Sequence, residues 1–159
     1  MTLSQRALDI GAKVEAFVRD VIAPYEQDPR ATGGHGPSDE LVNELKEMAR
    51  AAGVLTPHIF ADGGHLTQVE TAHVLRLSGL SPLGPLAVNT MAPDEGNMYL
   101  LGKVGSPELK ERFLNELVAG RARSAFFMTE PAMEGGAGSD PSMMKTTCNL
   151  DGNHWVING

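Results

Sequence analysis

The side chains in this chain best suited to chemistry lie between residues 126 and 140. Phe126-Phe127-Met128-Thr129-Glu130-Pro131 is an apolar run that ends on a hydroxyl, a carboxylate and a proline. After Ala132-Met133-Glu134-Gly135 comes Gly136-Ala137-Gly138-Ser139-Asp140. Thr129 can donate to a ring heteroatom. The backbone amides of a Gly-rich loop can cradle an anion such as a phosphate, and Ser139 can add a hydroxyl. A plain surface turn fits the same composition, because glycine serves many turns that hold nothing. Glu130 and Asp140 make a weak metal pair, since no histidine stands beside them at ligand spacing. The loop matches neither a P-loop nor a GxGxxG dinucleotide fingerprint.

Other reactive side chains carry less. His35, His58, His65, His73 and His154 form no pair at metal-binding spacing on one helix, and each reads as a surface or turn residue. Ser124 and Ser139 have no histidine partner that sequence can show. Lys145 has the pattern of a strand surface. Cys148 reads as a small packed residue of a strand.

The elements that must position these groups fall into two kinds. Residues 3–24 read as a helix with Ala7, Ile10, Val14, Phe17, Val18 and Val21 on one face, Ser4 as cap and Pro24 as terminator. Residues 28–37 end in a glycine and proline cluster and read as loop. A second helix starts near Ser38, with Asp39 and Glu40 opposing the positive helix end. Leu41, Leu45, Met48, Ala49 and Ala52 form its stripe, and Gly53 stops it. Residues 54–66 read as a connection. Thr67-Gln68-Val69-Glu70 is a capping box. The helix that it opens carries Val69, Ala72, Leu75 and Leu77 and fails near Gly79. Residues 83–88 are compatible with helix or loop.

A further helix starts around Met91–Glu95 and runs through Met98, Leu100 and Leu101 to Gly105. Ser106-Pro107-Glu108 opens the last one, with Leu109, Phe113, Leu114 and Leu117 expected to face inward and Gly120 to end it. The period then changes. Ala125–Met128 is a short β-like run, and Met144–Leu150 and His154–Ile157 flank the hairpin signal Asp151-Gly152-Asn153. The expected organisation is a helical domain over residues 1–122 and the beginning of a β domain over 123–159, with β structure from about 124. A lone hairpin is marginal in water, so the chain is expected to be a fragment or to need a partner chain.

Bulk properties agree with a soluble protein. A chain of 159 residues with 42% hydrophobic and 21% charged residues can bury a core. Its net charge of −7 disfavours a dedicated nucleic-acid binder. One cysteine excludes an internal disulfide and suits a reducing compartment. No apolar stretch approaches the roughly 18 residues of a membrane span, and no signal-peptide pattern opens the chain. The expected location is the cytoplasm.

Three segments together resemble the acyl-CoA dehydrogenase family. Ala92-Pro93-Asp94-Glu95-Gly96-Asn97-Met98, with Gly105-Ser106 and Lys110, is similar to the helix pair before its β domain. This similarity is greatest in the branch with the large vertebrate members fused to a kinase-like domain and their bacterial relatives. Arg123–Pro131 is the most specific piece. Gly136–Asp140 completes it, and Trp155–Gly159 matches the strand leading to the next flavin-contacting element. The resemblance implies a mainly α architecture here: the N-terminal helical domain followed by the first strands of a β-barrel-like middle domain, part of a larger α+β subunit.

It also implies FAD and the α,β-dehydrogenation of an acyl-CoA thioester to trans-2-enoyl-CoA. Phe126, Phe127, Met128 and Thr129 would lie along the flavin ring, with Thr129 near its N5 and O4 edge. Ser139 would sit near the pyrophosphate and the acyl-CoA arm, serving both cofactor and substrate. Phe126 stands where many relatives have tyrosine, which keeps a stacking surface and loses a hydroxyl. Ala132–Gly135 form an apparent four-residue insertion. The catalytic base would come from a C-terminal domain outside these residues, so none is assigned, and Glu130 is not promoted to the role. An electron-transfer flavoprotein would take the electrons, and subunits would form homodimers or homotetramers. The alternatives are an acyl-CoA oxidase and a non-catalytic or heteromeric partner subunit.

Overall fold

The computed structural model describes residues 2–34, 36–60, 64–132 and 135–159. The chain divides into two compact units, Met1–Ser124 and Ala125–Gly159. All α-helices among the described residues lie in the first: α1 (Gln5–Phe17), α2 (Asp39–Ala51), α3 (Gln68–Ser78), α4 (Gly84–Ala87), α5 (Asp94–Val104), α6 (Pro107–Leu109) and α7 (Asn115–Val118). The second holds a hairpin of β1 (Thr147–Asp151) and β2 (His154–Asn158). The mainly helical class expected from the sequence is what the chain adopts.

Helix starts follow local chemistry closely. Ser4, Ser38, Thr67 and Ser106 each accept from the amide three residues on, which satisfies one orphan donor per helix. The capping box at Thr67–Glu70 is complete. Glu70 also accepts from the Ser4 amide at 3.1 Å, tying the start of α1 to the start of α3. Hydrogen bonds from Ser4 and Thr67 hold its carboxyl down to about 2.

Helix ends depart more from expectation. The α-helical part of the first helix stops at Phe17, and a π turn, Val18–Ile22, and a 3-10 turn, Ala23–Gln27, carry the chain on. Pro24 therefore does not end the helical path. It sits in the first turn of the 3-10 segment, where the chain changes from π to 3-10 bonding. A second π turn, Lys110–Leu114, joins α6 to α7.

The core is built where α1 packs on α3 and α2 packs on α4. Ala7, Val14, Phe17, Val18 and Ile22 meet Leu41, Leu45, Ala49, Val74, Leu77, Ala87 and Val88 there. The run at 83–88 resolves into the short helix α4. Gly84 is needed because a Cβ at that position would come within 1.9 Å of the Ser78 carbonyl oxygen.

Three inward-facing expectations are corrected. Val69 and Ala72 of α3 are exposed and Leu75 is only half-buried, because that helix buries Val74, Leu77 and Ser78 instead. Leu109 and Phe113 are exposed as well, and from that helix only Leu117 is buried. Ala52, beyond the last turn of α2, is also exposed. Each stripe was apolar on more than one face, and periodicity cannot say which face finds a neighbour.

The end of α7 is held from outside its own sequence. The carbonyls of Leu117, Val118, Ala119 and Gly120 accept from Asn89 Nδ2 (2.8 Å), Thr56 Oγ1 (2.7 Å), Arg50 Nη2 (2.7 Å) and Lys46 Nζ (3.3 Å) respectively. Carbonyls at and just beyond the last turn thus receive four side chains from three other segments, that of Leu117 alongside the Gly120 amide. Two are cations, which suits the negative end of the helix. Burial pushes the Lys46 ammonium below its ordinary value, and Asp94 opposes that shift.

In the second unit β1 and β2 pair antiparallel, with Leu150 opposite Trp155 and Asp151 opposite His154. Gly152 opens the two-residue turn at φ +59, the position that favours glycine in a hairpin turn. Asp151 belongs to the strand, so the turn is Gly152-Asn153. Strand structure begins at Thr147 and not near 124: residues 122–130 have no regular secondary structure. No described strand runs beside them, and a strand needs a partner to be one. Cys148, expected to be packed, is exposed.

Candidate cofactor site and family

The approach to residues 126–140 is anchored inside the first unit. Asp94, at the start of α5, accepts from the Ser124 amide at 2.5 Å and the Ser124 hydroxyl at 2.6 Å. Asn97 Nδ2, one turn along the same helix, donates to the Ser124 oxygen at 2.8 Å. The chain then enters the second unit as an exposed apolar run. Phe126 is 63% exposed, Phe127 95% and Met128 55%. Thr129 is exposed, and its hydroxyl has no hydrogen-bond partner among the described residues. The backbone groups of 125–129 are likewise unpaired among those residues. Such a segment presents apolar surface, a free hydroxyl and open main-chain donors and acceptors together.

Glu130 organises the loop beyond it. Its backbone amide donates to the Gly138 carbonyl at 3.3 Å. Its carboxylate accepts from the amides of Ala137 (3.2 Å), Lys145 (2.9 and 3.0 Å to the two oxygens) and Thr146 (2.5 Å), and from the Thr146 hydroxyl (2.5 Å). The Thr146 hydroxyl, together with the Lys145 and Thr146 amides, holds this carboxyl down to about 2. Lys145 Nζ donates to the Gly135 carbonyl. The result is a cleft lined by Glu130, Pro131, Gly135, Gly136, Lys145, Thr146 and Gly159. These bonds also explain the late start of β1, because residues 145 and 146 give their amides to Glu130 and not to a neighbouring strand.

Ser139 follows Gly138 in a turn, exposed, with no hydrogen bond among the described residues. Thr129 and Ser139 therefore flank the Glu130–Gly138 link on its outer sides. Asp140 faces its own turn, accepting from the Ser142 amide at 2.9 Å and hydroxyl at 2.6 Å. Glu130 and Asp140 thus serve separate sets of donors and do not act as a metal pair. Among the described residues no three of His, Cys, Asp and Glu converge as metal ligands would. None of the described helices is long and apolar enough to cross a membrane.

The hub role of Glu130 is not legible in the sequence. Its donors lie as far as sixteen residues on, and most are backbone amides that carry no sequence signal. His58 is another correction. It is buried, not on the surface, and neither ring nitrogen has a partner. Burial, aided by the nearby His65, pushes it down to about 4. His65 and His154 are exposed, His73 is half-buried on α3, and His35 lies outside the described residues.

The family described as acyl-CoA dehydrogenase, N-terminal domain, matches residues 4–121. FadE2 of Mycobacterium tuberculosis, described as a probable acyl-CoA dehydrogenase, is 35% identical over 166 residues, covering 99% of this chain and 39% of that protein. Acyl-CoA dehydrogenase family member 11 of Gallus gallus is 32% identical over 163 residues, covering 98% of this chain and 20% of its own. A solved structure described as that of a putative acyl-CoA dehydrogenase from Mycobacterium abscessus superposes with a TM-score of 0.78 at 33% identity, covering all of this chain and 42% of that one. The chain thus spans well under half the length of the relatives that it matches. With its N-terminal helical unit matched along nearly its whole length, the chain belongs to the acyl-CoA dehydrogenase family.

Proposed function

We propose that the complete protein is an FAD-dependent acyl-CoA dehydrogenase that converts a saturated acyl-CoA thioester to its trans-2-enoyl-CoA. The observation that supports this most is the exposed, unpaired run Phe126–Thr129 beside the Gly-rich turn, in a chain of this family. These residues fit a flavin. Phe126, Phe127 and Met128 offer an apolar surface for a flat ring system, and Thr129 offers a free hydroxyl for a heteroatom at its edge. Ser139 offers a second free hydroxyl for the pyrophosphate or the acyl-CoA arm. When bound, the flavin supplies the acceptor for the β hydride, and the protein supplies position and electrostatics.

Proton abstraction from the α carbon needs a carboxylate free to accept a proton. Glu130 is not that group: with its oxygens filled by donors and its carboxyl held near 2, it is a very weak base at neutral pH. The base is assigned to residues beyond this chain. In this reading an electron-transfer flavoprotein reoxidises a cytoplasmic homodimer or homotetramer.

Purification of the complete gene product tests the proposal. It should carry a yellow flavin whose visible absorbance bleaches anaerobically with an acyl-CoA. Absence of both the absorbance and the bleaching with every acyl-CoA tried would sink it. Stoichiometric peroxide formation in air would reassign it as an acyl-CoA oxidase. Flavin retained only with a second chain would make it a heteromeric subunit.

A further inference from the structure

By the family resemblance, Ala132–Gly135 are an insertion between Thr129 and Ser139, the two residues that carry the free hydroxyls of the site. A longer stretch would ordinarily let its ends drift, since added residues multiply the conformations open to them. The ends here are tied at Glu130. Its amide reaches Gly138, its carboxylate reaches Ala137, and the same carboxylate holds Lys145 and Thr146 ahead of β1. Four donor groups on three residues thus converge on one side chain and close a neck between residues 130 and 138. We propose that Glu130 is a positioning residue, which holds Thr129 and Ser139 at a set separation whatever the length of the loop between them. The consequence for cofactor binding rests on the flavin reading above; the closure of the neck does not.

The test uses the complete protein in three forms: Glu130→Gln, Thr146→Val and a deletion of Ala132–Gly135. Glu130→Gln keeps the size of the side chain but turns one acceptor oxygen into an NH2 group facing N–H donors. FAD affinity is read by titrating the apoprotein, together with the flavin visible spectrum and the split of kcat and KM for an acyl-CoA. Glu130→Gln should weaken FAD about tenfold and shift the visible bands, as expected from loss of charge-assisted bonds. Thr146→Val, which removes one donor, should weaken it about threefold. The deletion should stay within about threefold of the parent, because the neck remains closed without those residues.

Unchanged affinity and spectrum in Glu130→Gln would overturn the proposal, as would a deletion as damaging as that substitution. Should Glu130→Gln fail to fold, Thr146→Val decides alone, and parental FAD affinity there overturns it. A parent that binds no FAD refutes the flavin reading only. Amide hydrogen exchange at Ala137, Lys145 and Thr146 then decides: faster exchange in Glu130→Gln or Thr146→Val supports the clamp, and unchanged exchange in the folded variants removes it.

Discussion

Leu45→Ala should lower the unfolding free energy by about 2–5 kcal/mol, the range for deleting a buried leucine side chain. Leu45 is fully buried on α2, within the cluster that joins α1, α2, α3 and α4. Truncation removes the transfer energy of the lost methyl groups and leaves a hole that packed helices fill only in part. Leu100→Ala is the control. Leu100 is as apolar but is exposed on α5, so its loss should change stability by no more than about 0.5 kcal/mol. Urea unfolding followed by helical circular dichroism reads both, since the α-helices among the described residues all lie in the first unit. The expected signature is a lower midpoint for Leu45→Ala at unchanged slope. Equal midpoints for the two variants would contradict the core described above.

Acid should destabilise the helical unit well above the range of ordinary carboxylates, and His58→Leu should remove that sensitivity. His58 is buried with both ring nitrogens unpartnered, and it lines a small cavity with Ile59, His65, Thr71, Met98 and Tyr99. No carboxylate lines that cavity to stabilise an imidazolium. The ordinary histidine value is 6.5, and in the folded chain this one is pushed down to about 4. Between those values the unfolded chain takes up a proton that the folded chain refuses. Stability is therefore complete above 6.5 and falls as pH drops toward 4, by a total of about 3 kcal/mol.

Glu70 and Glu130 act in a lower window. Both carboxyls are held down to about 2 from an ordinary 4.5, so their contribution is present above 4.5 and lost as pH falls toward 2. Denaturant unfolding at pH 7.5 and pH 4.5 separates the windows. The parent should lose most of the roughly 3 kcal/mol between those two values, and His58→Leu should lose little. A parent with equal stability at both would show that His58 is not buried as a neutral ring. An equal acid loss in His58→Leu would place the cause elsewhere.

The sequence by itself determined what depends on near neighbours. Ser4, Ser38, Thr67 and Ser106 reach amides three residues away, so the caps that start α1, α2, α3 and α6 could be read from the chain. The hairpin at Gly152 is a local turn of the same kind. The ordered motifs from Asp94 to Ser139 carried the family, because close backbone approach and side-chain identity leave marks at fixed spacing. The tertiary structure decided everything that needs a partner far along the chain. It decided which stripe of α3 is buried, since Val74 and Leu77 are enclosed while the equally helical-spaced Val69 and Ala72 are exposed and Leu75 is half-buried. It brought Lys46, Arg50, Thr56 and Asn89 to the end of α7, a meeting of side chains up to 74 residues from their acceptors. It buried His58, which has the sequence surroundings of a loop residue. It also made Glu130 a hub and left Thr129 free, although the two adjoin in sequence. Hydrogen bonds to backbone amides depend on where the chain folds back and not on which residues supply them.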